Sequence, residues 1–175
     1  MQTLHETDHT TPADAEHRRR VSRIIRKRTF CTLATTSPAG YAHGAGVVYQ
    51  WVDGALWVHV MRSSRKARNV ASNPNVGVCI AFRRLPAGPP FTIHFQGRAD
   101  IVEMDDPTAR TLIDAGRLKK ISGHGALDAP DGCFLRIVPN GTVHSYGPGA
   151  NVIDLVRDPL NTGARSVRLD DGEAR

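Results

Sequence analysis

The sequence lacks any apolar run near the ~20 residues that a membrane-spanning helix needs, so we expect a soluble protein without a membrane span. Cysteine is scarce, and its three positions form neither a CxxC pair nor a metal-binding spacing: Cys31, Cys79 and Cys133. Each cysteine lies in an apolar, strand-like run, and no secretory signal is evident. We therefore expect free core thiols in a reducing, cytoplasmic environment.

Internal repeats and low-complexity blocks are also absent, and aromatic residues make up only 6% of the chain. With 40% apolar and 23% charged residues, the 175-residue chain has the length and composition of one globular domain. We place this domain at residues 13–153. Residues 1–12 are polar and are expected to form a mobile tail, and residues 154–175 are expected to form either a C-terminal tail or a strap over a partner subunit.

Acidic residues are outnumbered by basic ones, which gives a formal net charge of +6. Much of the excess lies in one predicted helix, 13–28, whose apolar stripe is Val21, Ile24 and Ile25. A basic helix face fits an acidic partner, such as nucleic acid or an acidic cofactor tail, but it is also typical of a solvated surface. No aromatic residues alternate with the arginines, so a nucleic-acid partner is not expected. No membrane partner is expected either, because the chain lacks a membrane-spanning apolar run.

Alternating apolar residues and turn signals predict an antiparallel sheet. Asp53-Gly54 lies between two apolar runs and is typical of a tight hairpin turn. Seven strands are predicted, at 30–35, 42–52, 55–61, 76–82, 91–101, 133–138 and 142–146. A further helix is predicted to begin at Asp106-Pro107. The pattern indicates an α+β fold with six to seven antiparallel strands in a barrel and peripheral helices.

The predicted strand 55–61 leads directly into a basic helix start. Ser63 or Ser64 can cap the first helical turn, and Arg65 and Lys66 add two positive charges. The first turn of a helix favours an anion, because its N–H groups lack intrahelical partners and it carries the positive end of the helix dipole. This arrangement predicts a phosphate site, and an ordinary capped surface helix is the alternative interpretation.

Several short segments occur in a characteristic order and spacing. They are Thr32-Leu33-Ala34-Thr35, Ser37-Pro38-Ala39-Gly40, Val47-Val48-Tyr49, Asp53-Gly54, Ser64-Arg65-Lys66-Ala67-Arg68-Asn69-Val70, Asn73-Pro74, Val76-Gly77-Val78 and Gln96-Gly97-Arg98-Ala99. Together they resemble the pyridoxamine 5'-phosphate oxidase-like, FMN- or F420-binding split β-barrel family, over most of the chain.

The resemblance implies a split β-barrel and a homodimer with two cofactors in the subunit interface, each FMN or alternatively F420. It places nine residues at the cofactor; from the phosphate to the ring edge they are Ser64, Arg65, Lys66, His59, Val60, Met61, Val47, Val48 and Tyr49. Backbone groups do much of the ring recognition in such proteins. No catalytic residue is nominated, because a flavin carries the hydride chemistry itself, and no metal site is predicted.

Two signatures of pyridoxamine-phosphate oxidase itself are missing. The second strand lacks the early arginine, and the C-terminus lacks an Arg-Leu-x-Pro motif, so vitamin B6 oxidation is not expected. The resemblance favours a flavin- or deazaflavin-dependent oxidoreductase that transfers a hydride to or from a small organic substrate. The alternative is a non-catalytic flavin- or haem-binding protein, in which His43, His124 or His144 ligates the iron.

Overall fold

A computed structural model describes residues 11–83, 90–123, 125–158 and 162–169 of the chain. Within these residues the α-helices are α1 (Pro12–Lys27), α2 (Arg65–Ser72), α3 (Pro107–Asp114) and α4 (Val152–Arg157). The strands are β1 (Phe30–Thr36), β2 (Ala42–Val48), β3 (Gln50–Val52), β4 (Ala55–Met61), β5 (Asn75–Phe82), β6 (Phe91–Glu103), β7 (Gly132–Tyr146) and β8 (Ala164–Arg168). A single 3₁₀ turn, Ala126–Asp128, precedes β7.

The eight strands form one antiparallel sheet. Their order is β2-β1-β5-β6-β7-β4-β3, and β8 pairs with the second half of β7. The sheet curls into a half-barrel with helices packed around it. The α+β split-barrel fold predicted from the sequence is therefore confirmed, with eight described strands in place of the expected six to seven.

The run 42–52, expected as one strand, is divided at Tyr49. There the backbone N–H donates to the Thr29 carbonyl (2.7 Å), and the phenol hydroxyl donates to the Ile25 carbonyl (2.8 Å). Both bonds tie residue 49 to the end of α1 and the residue before β1. The chain therefore leaves the β1 ladder after β2 and begins a new ladder with β4 as β3.

The runs 133–138 and 142–146, expected as two strands around a turn, form the single strand β7. The register of the β6–β7 ladder shifts between Phe95 and Gly97, and Gly97 then lies opposite Pro139. This irregularity absorbs the proline, which has no N–H to donate, without ending the strand. The strand therefore continues over 15 residues and pairs with β6 on one side and with β4 and β8 on the other.

The main core fills the space between the inner face of the sheet and helices α1 and α2. Helix α1 begins with a capping box between Thr11 and Asp14, and it buries His17, Val21 and Ile25 on one side. This is the basic helix predicted at 13–28, and most of its arginines lie on the exposed side. Most of the charge therefore lies on the exposed face, while the apolar stripe holds the helix on the sheet.

A second, smaller core lies between β4 and α3 and includes Trp57 and Phe134. All three cysteines are free, as expected: Cys31 and Cys133 are buried and Cys79 is half-buried. Burial raises the pKa of Cys31 to about 12, so this thiol stays protonated. Cys31 therefore behaves as a core side chain rather than as a nucleophile.

The two ends of the chain are described in part. Residues 1–10 of the expected N-terminal tail lie outside the described residues, whereas Pro12 already begins α1. At the other end, the expected boundary at 153 falls inside α4, and β8 pairs with β7 of the same chain while Val167 packs into the main core. No helix within the described residues is long and apolar enough to cross a membrane.

Candidate functional site

The turn between β4 and α2 places a helix N-terminus at the end of β4. Ser64 caps this helix, because its Oγ accepts from the N–H of Ala67 (3.4 Å) and its carbonyl accepts from the N–H of Arg68 (3.1 Å). The N–H groups of Arg65 and Lys66 have no hydrogen-bond acceptor among the described residues. They are the two orphan donors that this helix start offers to an anion.

Asp131 holds the turn between β4 and α2 through two hydrogen bonds. Its carbonyl accepts from the N–H of Arg62 (2.8 Å), and its Oδ2 accepts from the N–H of Ser63 (2.9 Å). Hydrogen bonding to Ser63 lowers the pKa of the Asp131 carboxyl, so the group is ionised at neutral pH. Arg62 is itself ion-paired with Glu103. The turn is therefore held by contacts that leave the start of α2 uncovered.

Two cations on the first turn of α2 are uncompensated. Arg65 is exposed and Lys66 is half-buried, and neither has an ion-pair partner within the part of the chain that the structure describes. Arg68, by contrast, donates to the Ser63 carbonyl (2.9 Å). No acidic residue lies in the first turn of the helix. The local field is therefore positive where the orphan N–H groups lie.

The strand edge beside this helix start is open. β3 pairs with β4 only at residues 55–57, whereas β7 pairs with β4 as far as Met61. Along residues 58–61, the edge of β4 opposite β7 therefore has no ladder partner among the described residues. β2 ends at Val48 and comes into contact with β4. We call the region that comprises Val48, this open edge and Ser64 the slot.

The nine residues predicted at the cofactor belong to the ends of β2 and β4 and the start of α2 or directly adjoin them, and they differ in exposure. Val47, Tyr49 and Val60 are buried, so they offer backbone groups or a rigid floor. The Tyr49 hydroxyl is already bonded to α1. Val48 and Met61, in contrast, are 51% and 38% exposed. The accessible part of the predicted set is therefore two apolar side chains and the start of α2.

The His59 side chain faces the second core. Its ring packs edge-on against Phe134, with centroids 5.7 Å apart, and a Cβ at Gly132 would lie 2.9 Å from its Nε2. Burial lowers the pKa of His59, with the Ala126 backbone acting in the opposite direction, and Nε2 makes no hydrogen bond of ordinary geometry among the described residues. The ring is neutral at neutral pH, and the backbone of residue 59 is the part that belongs to the open edge.

Asn69 fixes α2 on the sheet, a role that the sequence analysis missed. Its Nδ2 donates to the Thr35 hydroxyl (3.0 Å), and that hydroxyl donates to the His43 carbonyl (3.5 Å). Asn69 and Thr35 are both buried. The signal was present, because an amide on the buried face of an amphipathic helix needs a partner there. These bonds connect α2 to β1 and β2, so they set the position of the slot's charged wall.

The outer face of the sheet has a separate opening. An open cavity of about 560 Å³ is lined by residues of β1, β5, β6 and β7, and it adjoins a second cavity of about 420 Å³ through Ala34, Gly77, Gln96 and Asn140. Of the three histidines considered as iron ligands, His144 is exposed and lines the larger cavity. His43 is half-buried, with its Nδ1 unpartnered among the described residues, and His124 lies outside the described residues.

Known structures share this architecture. HutZ, the haem storage protein from Vibrio cholerae, is 20% identical with a TM-score of 0.61, and the match covers 70% of this chain and 89% of HutZ. A haem-binding protein from Mycobacterium smegmatis is 19% identical with a TM-score of 0.66, covering 94% of this chain and 60% of that protein. An FAD-binding protein from Mesorhizobium loti is 18% identical with a TM-score of 0.58, and the match covers 71% of this chain and 87% of that protein. At these identities the likeness shows the fold alone.

The family of the chain follows from its sequence. No protein of curated function matches it. The family model for pyridoxamine 5'-phosphate oxidase, however, matches residues 18–140, which is more than half of the chain and includes β1 to the middle of β7. The matched region contains the slot and the start of α2. The chain therefore belongs to the pyridoxamine 5'-phosphate oxidase family, as its sequence resemblance indicated.

Proposed function

We propose that this chain binds FMN, or alternatively F420, in the slot and acts as an oxidoreductase that transfers a hydride to or from a small organic substrate. The observation that carries the proposal is the pair of uncompensated cations, Arg65 and Lys66, at a capped helix start beside an open strand edge. A flavin has an anionic end and a flat ring with hydrogen-bonding edges. The slot offers one set of groups to the anionic end of the flavin and a different set to its ring.

The start of α2 suits the anionic end. The N–H groups of Arg65 and Lys66 supply two backbone donors, and the Arg65 guanidinium can present two parallel donors to phosphate oxygens. Lys66 adds a second positive charge. Asp131 holds the turn through backbone donors of residues 62 and 63, so the donors of the helix itself remain for the phosphate.

The strand edge suits the ring. Unpaired N–H and C=O groups along residues 58–61 can bond to the polar edge of a flavin, while Val48 and Met61 offer apolar contact to its faces. Val47 and Val60 are buried, so their side chains anchor the neighbouring backbone in the core. When bound, the flavin supplies the hydride chemistry, so the protein's contribution is binding, orientation and exclusion of water.

The proposal includes a homodimer. Phe30, Val48 and Met61 are 58%, 51% and 38% exposed, and Phe30 and Val48 lie opposite each other in the β1–β2 ladder. A second copy over this surface would bury the apolar side chains and cover the slot, with one cofactor at each of two equivalent positions. Three free cysteines fit a reducing cytoplasm as the setting.

A second candidate function is flavin or haem binding without catalysis. Two of the structurally similar proteins are a haem storage protein and a haem-binding protein, and a third binds FAD. On this chain, His144 is an exposed imidazole at the edge of the larger cavity, which suits an axial iron ligand. This candidate differs from the first in predicting binding without turnover.

Separate titrations of the full-length protein with FMN, F420 and hemin test both candidates. Arg65→Glu and Lys66→Glu should each weaken binding of FMN or F420 at least tenfold, because each replaces an attractive charge with a repulsive one. Arg110→Glu makes the same change in net charge on the exposed surface of α3 and is the matched control.

The outcomes separate the candidates. Unchanged affinity in both slot variants, or an equal loss in the control, would contradict the assignment of the phosphate to α2. Bound flavin that is reduced by a chemical reductant and reoxidised by a small organic acceptor over many cycles supports the oxidoreductase. A Soret band with hemin and no flavin binding supports the second candidate.

A further inference from the structure

Two histidines face each other on the outer side of the sheet. His94 on β6 and His144 on β7 are directly opposite in the ladder, and their rings stack with centroids 5.4 Å apart and 23° between the ring planes. Both side chains are exposed and line the cavity of about 560 Å³. Neither residue is among the nine placed at the flavin, and neither belongs to a hydrophobic core. The pair is therefore accessible for chemistry of its own.

The ring of His144 is already oriented by a neighbouring strand. Its Nδ1 lies 2.8 Å from Oγ of Ser166 on β8, which is opposite His144 in the β7–β8 ladder. When Nδ1–H donates to this oxygen, the Nε2 lone pair remains for a ligand. The His94 ring makes no hydrogen bond among the described residues. Each imidazole therefore keeps at least one ring nitrogen free of protein hydrogen bonds among the described residues.

We propose that His94 and His144 together bind one divalent transition-metal ion, Cu²⁺ most tightly. Imidazole nitrogen suits Cu²⁺, Ni²⁺ and Zn²⁺, and Cu²⁺ leads this series in affinity for a given nitrogen site. Two nitrogens bound to one ion at about 2.0–2.1 Å each lie about 3–4 Å apart. With His144 held by Ser166, rotation of the exposed His94 side chain, which has no hydrogen bond among the described residues, can bring the two nitrogens to that separation.

The proposed site is open. Within the described ranges, no group of three or more His, Cys, Asp or Glu side chains is arranged around a metal position, so the chain supplies two ligands. Water or a small molecule in the cavity completes the coordination sphere. Cys79 lies opposite His94 in the next ladder and lines the same cavity, but it is half-buried. A two-ligand chelate of this kind holds an exchangeable ion rather than a structural one.

Calorimetric titration of the chelator-treated, full-length protein with CuCl₂ and with NiCl₂ tests the proposal. His94→Gln and His144→Gln should each weaken binding at least tenfold, because each leaves a single imidazole. Ser166→Ala should also weaken binding about tenfold, because it removes the group that orients His144. Gln96→Ala, in the same cavity but without a proposed ligand, is the matched control and should bind as the parent does.

The Cu²⁺-loaded protein should also show nitrogen hyperfine coupling from two imidazoles in its electron paramagnetic resonance spectrum. Coupling from one nitrogen would overturn the chelate. A double variant, His94→Gln with His144→Gln, that keeps the parent's affinity and stoichiometry would overturn the site, because the remaining histidines would then account for all binding. Hemin binding that depends on the pair, without binding of either free ion, would also overturn it.

Discussion

Removing the amide of Asn69 tests whether a buried hydrogen bond holds α2 in place. Asn69 is 3% exposed and donates at 3.0 Å to the hydroxyl of Thr35, which is 2% exposed. Asn69→Ala deletes this bond and leaves a small gap between helix and sheet. Thr35→Val keeps the shape of the β1 side chain but leaves the Asn69 donor buried without its acceptor. The two substitutions therefore break one interaction from opposite sides.

Each single substitution should lower the free energy of unfolding by about 1–3 kcal/mol, which is the usual cost of losing a buried polar partner. The double variant loses the bond only once, so its cost should be smaller than the sum of the two by about 1–2 kcal/mol. Ser72→Ala, on the exposed side of the same helix, is the matched control. It should change the free energy of unfolding by less than about 0.5 kcal/mol.

Urea unfolding followed by tryptophan fluorescence measures these energies, because Trp57 is buried in the second core. FMN titration provides a second readout, since α2 also carries Arg65 and Lys66, and a displaced helix should bind the phosphate less tightly. Single variants as stable as Ser72→Ala would refute the reasoning. Additivity of the two substitutions within about 0.5 kcal/mol would refute it as well.

Three further predictions follow from other contacts. Burial lowers the pKa of His17 below 6.5, so protonation of this side chain favours the unfolded state. The free energy of unfolding should therefore fall as the pH drops below about 6.5. The urea midpoint of His17→Gln should fall less than that of the parent protein over the same pH range. Asp131→Asn keeps an acceptor for the Ser63 N–H but removes a negative charge near the slot. FMN should therefore bind about two- to fivefold more tightly, as measured by fluorescence titration, and weaker binding would contradict this. Gly147→Ala should lower the free energy of unfolding by about 2–4 kcal/mol in thermal melts, because φ is +96° and a Cβ would overlap the Phe91 ring; an unchanged melting temperature would contradict this.

Much of the fold could be predicted because its signals are local. Apolar alternation and the Asp53-Gly54 turn give strands and a hairpin without knowledge of the rest of the chain. The division at Tyr49 could not be predicted in this way, since it depends on a bond to Ile25 in another element. β8 was also missed, because in that strand only Val167 is buried and the pairing comes from backbone hydrogen bonds.

In the candidate site, too, the features with local sequence signals could be predicted and those that depend on distant parts of the chain could not. The capping serine and the two cations follow one another in sequence, so the helix start and its charge could be predicted. Asp131, which fixes the preceding turn, is 68 residues away from Ser63 in the chain, and no local pattern connects them. The side chain of His59 points to the second core because side chains alternate along β4, and the position of that core depends on α3.

Two strands, β4 and β8, pair with the same edge of β7. β4 pairs with residues 132–137 of that edge, whereas β8, from a later part of the chain, pairs with residues 142–146. Loss of the last residues by proteolysis, up to and including β8, would uncover a row of N–H and C=O groups on β7. Bare strand edges recruit strands from other molecules. β8 thus covers the part of the β7 edge that β4 leaves unpaired, and we expect its removal to expose that part to pairing with strands of other molecules.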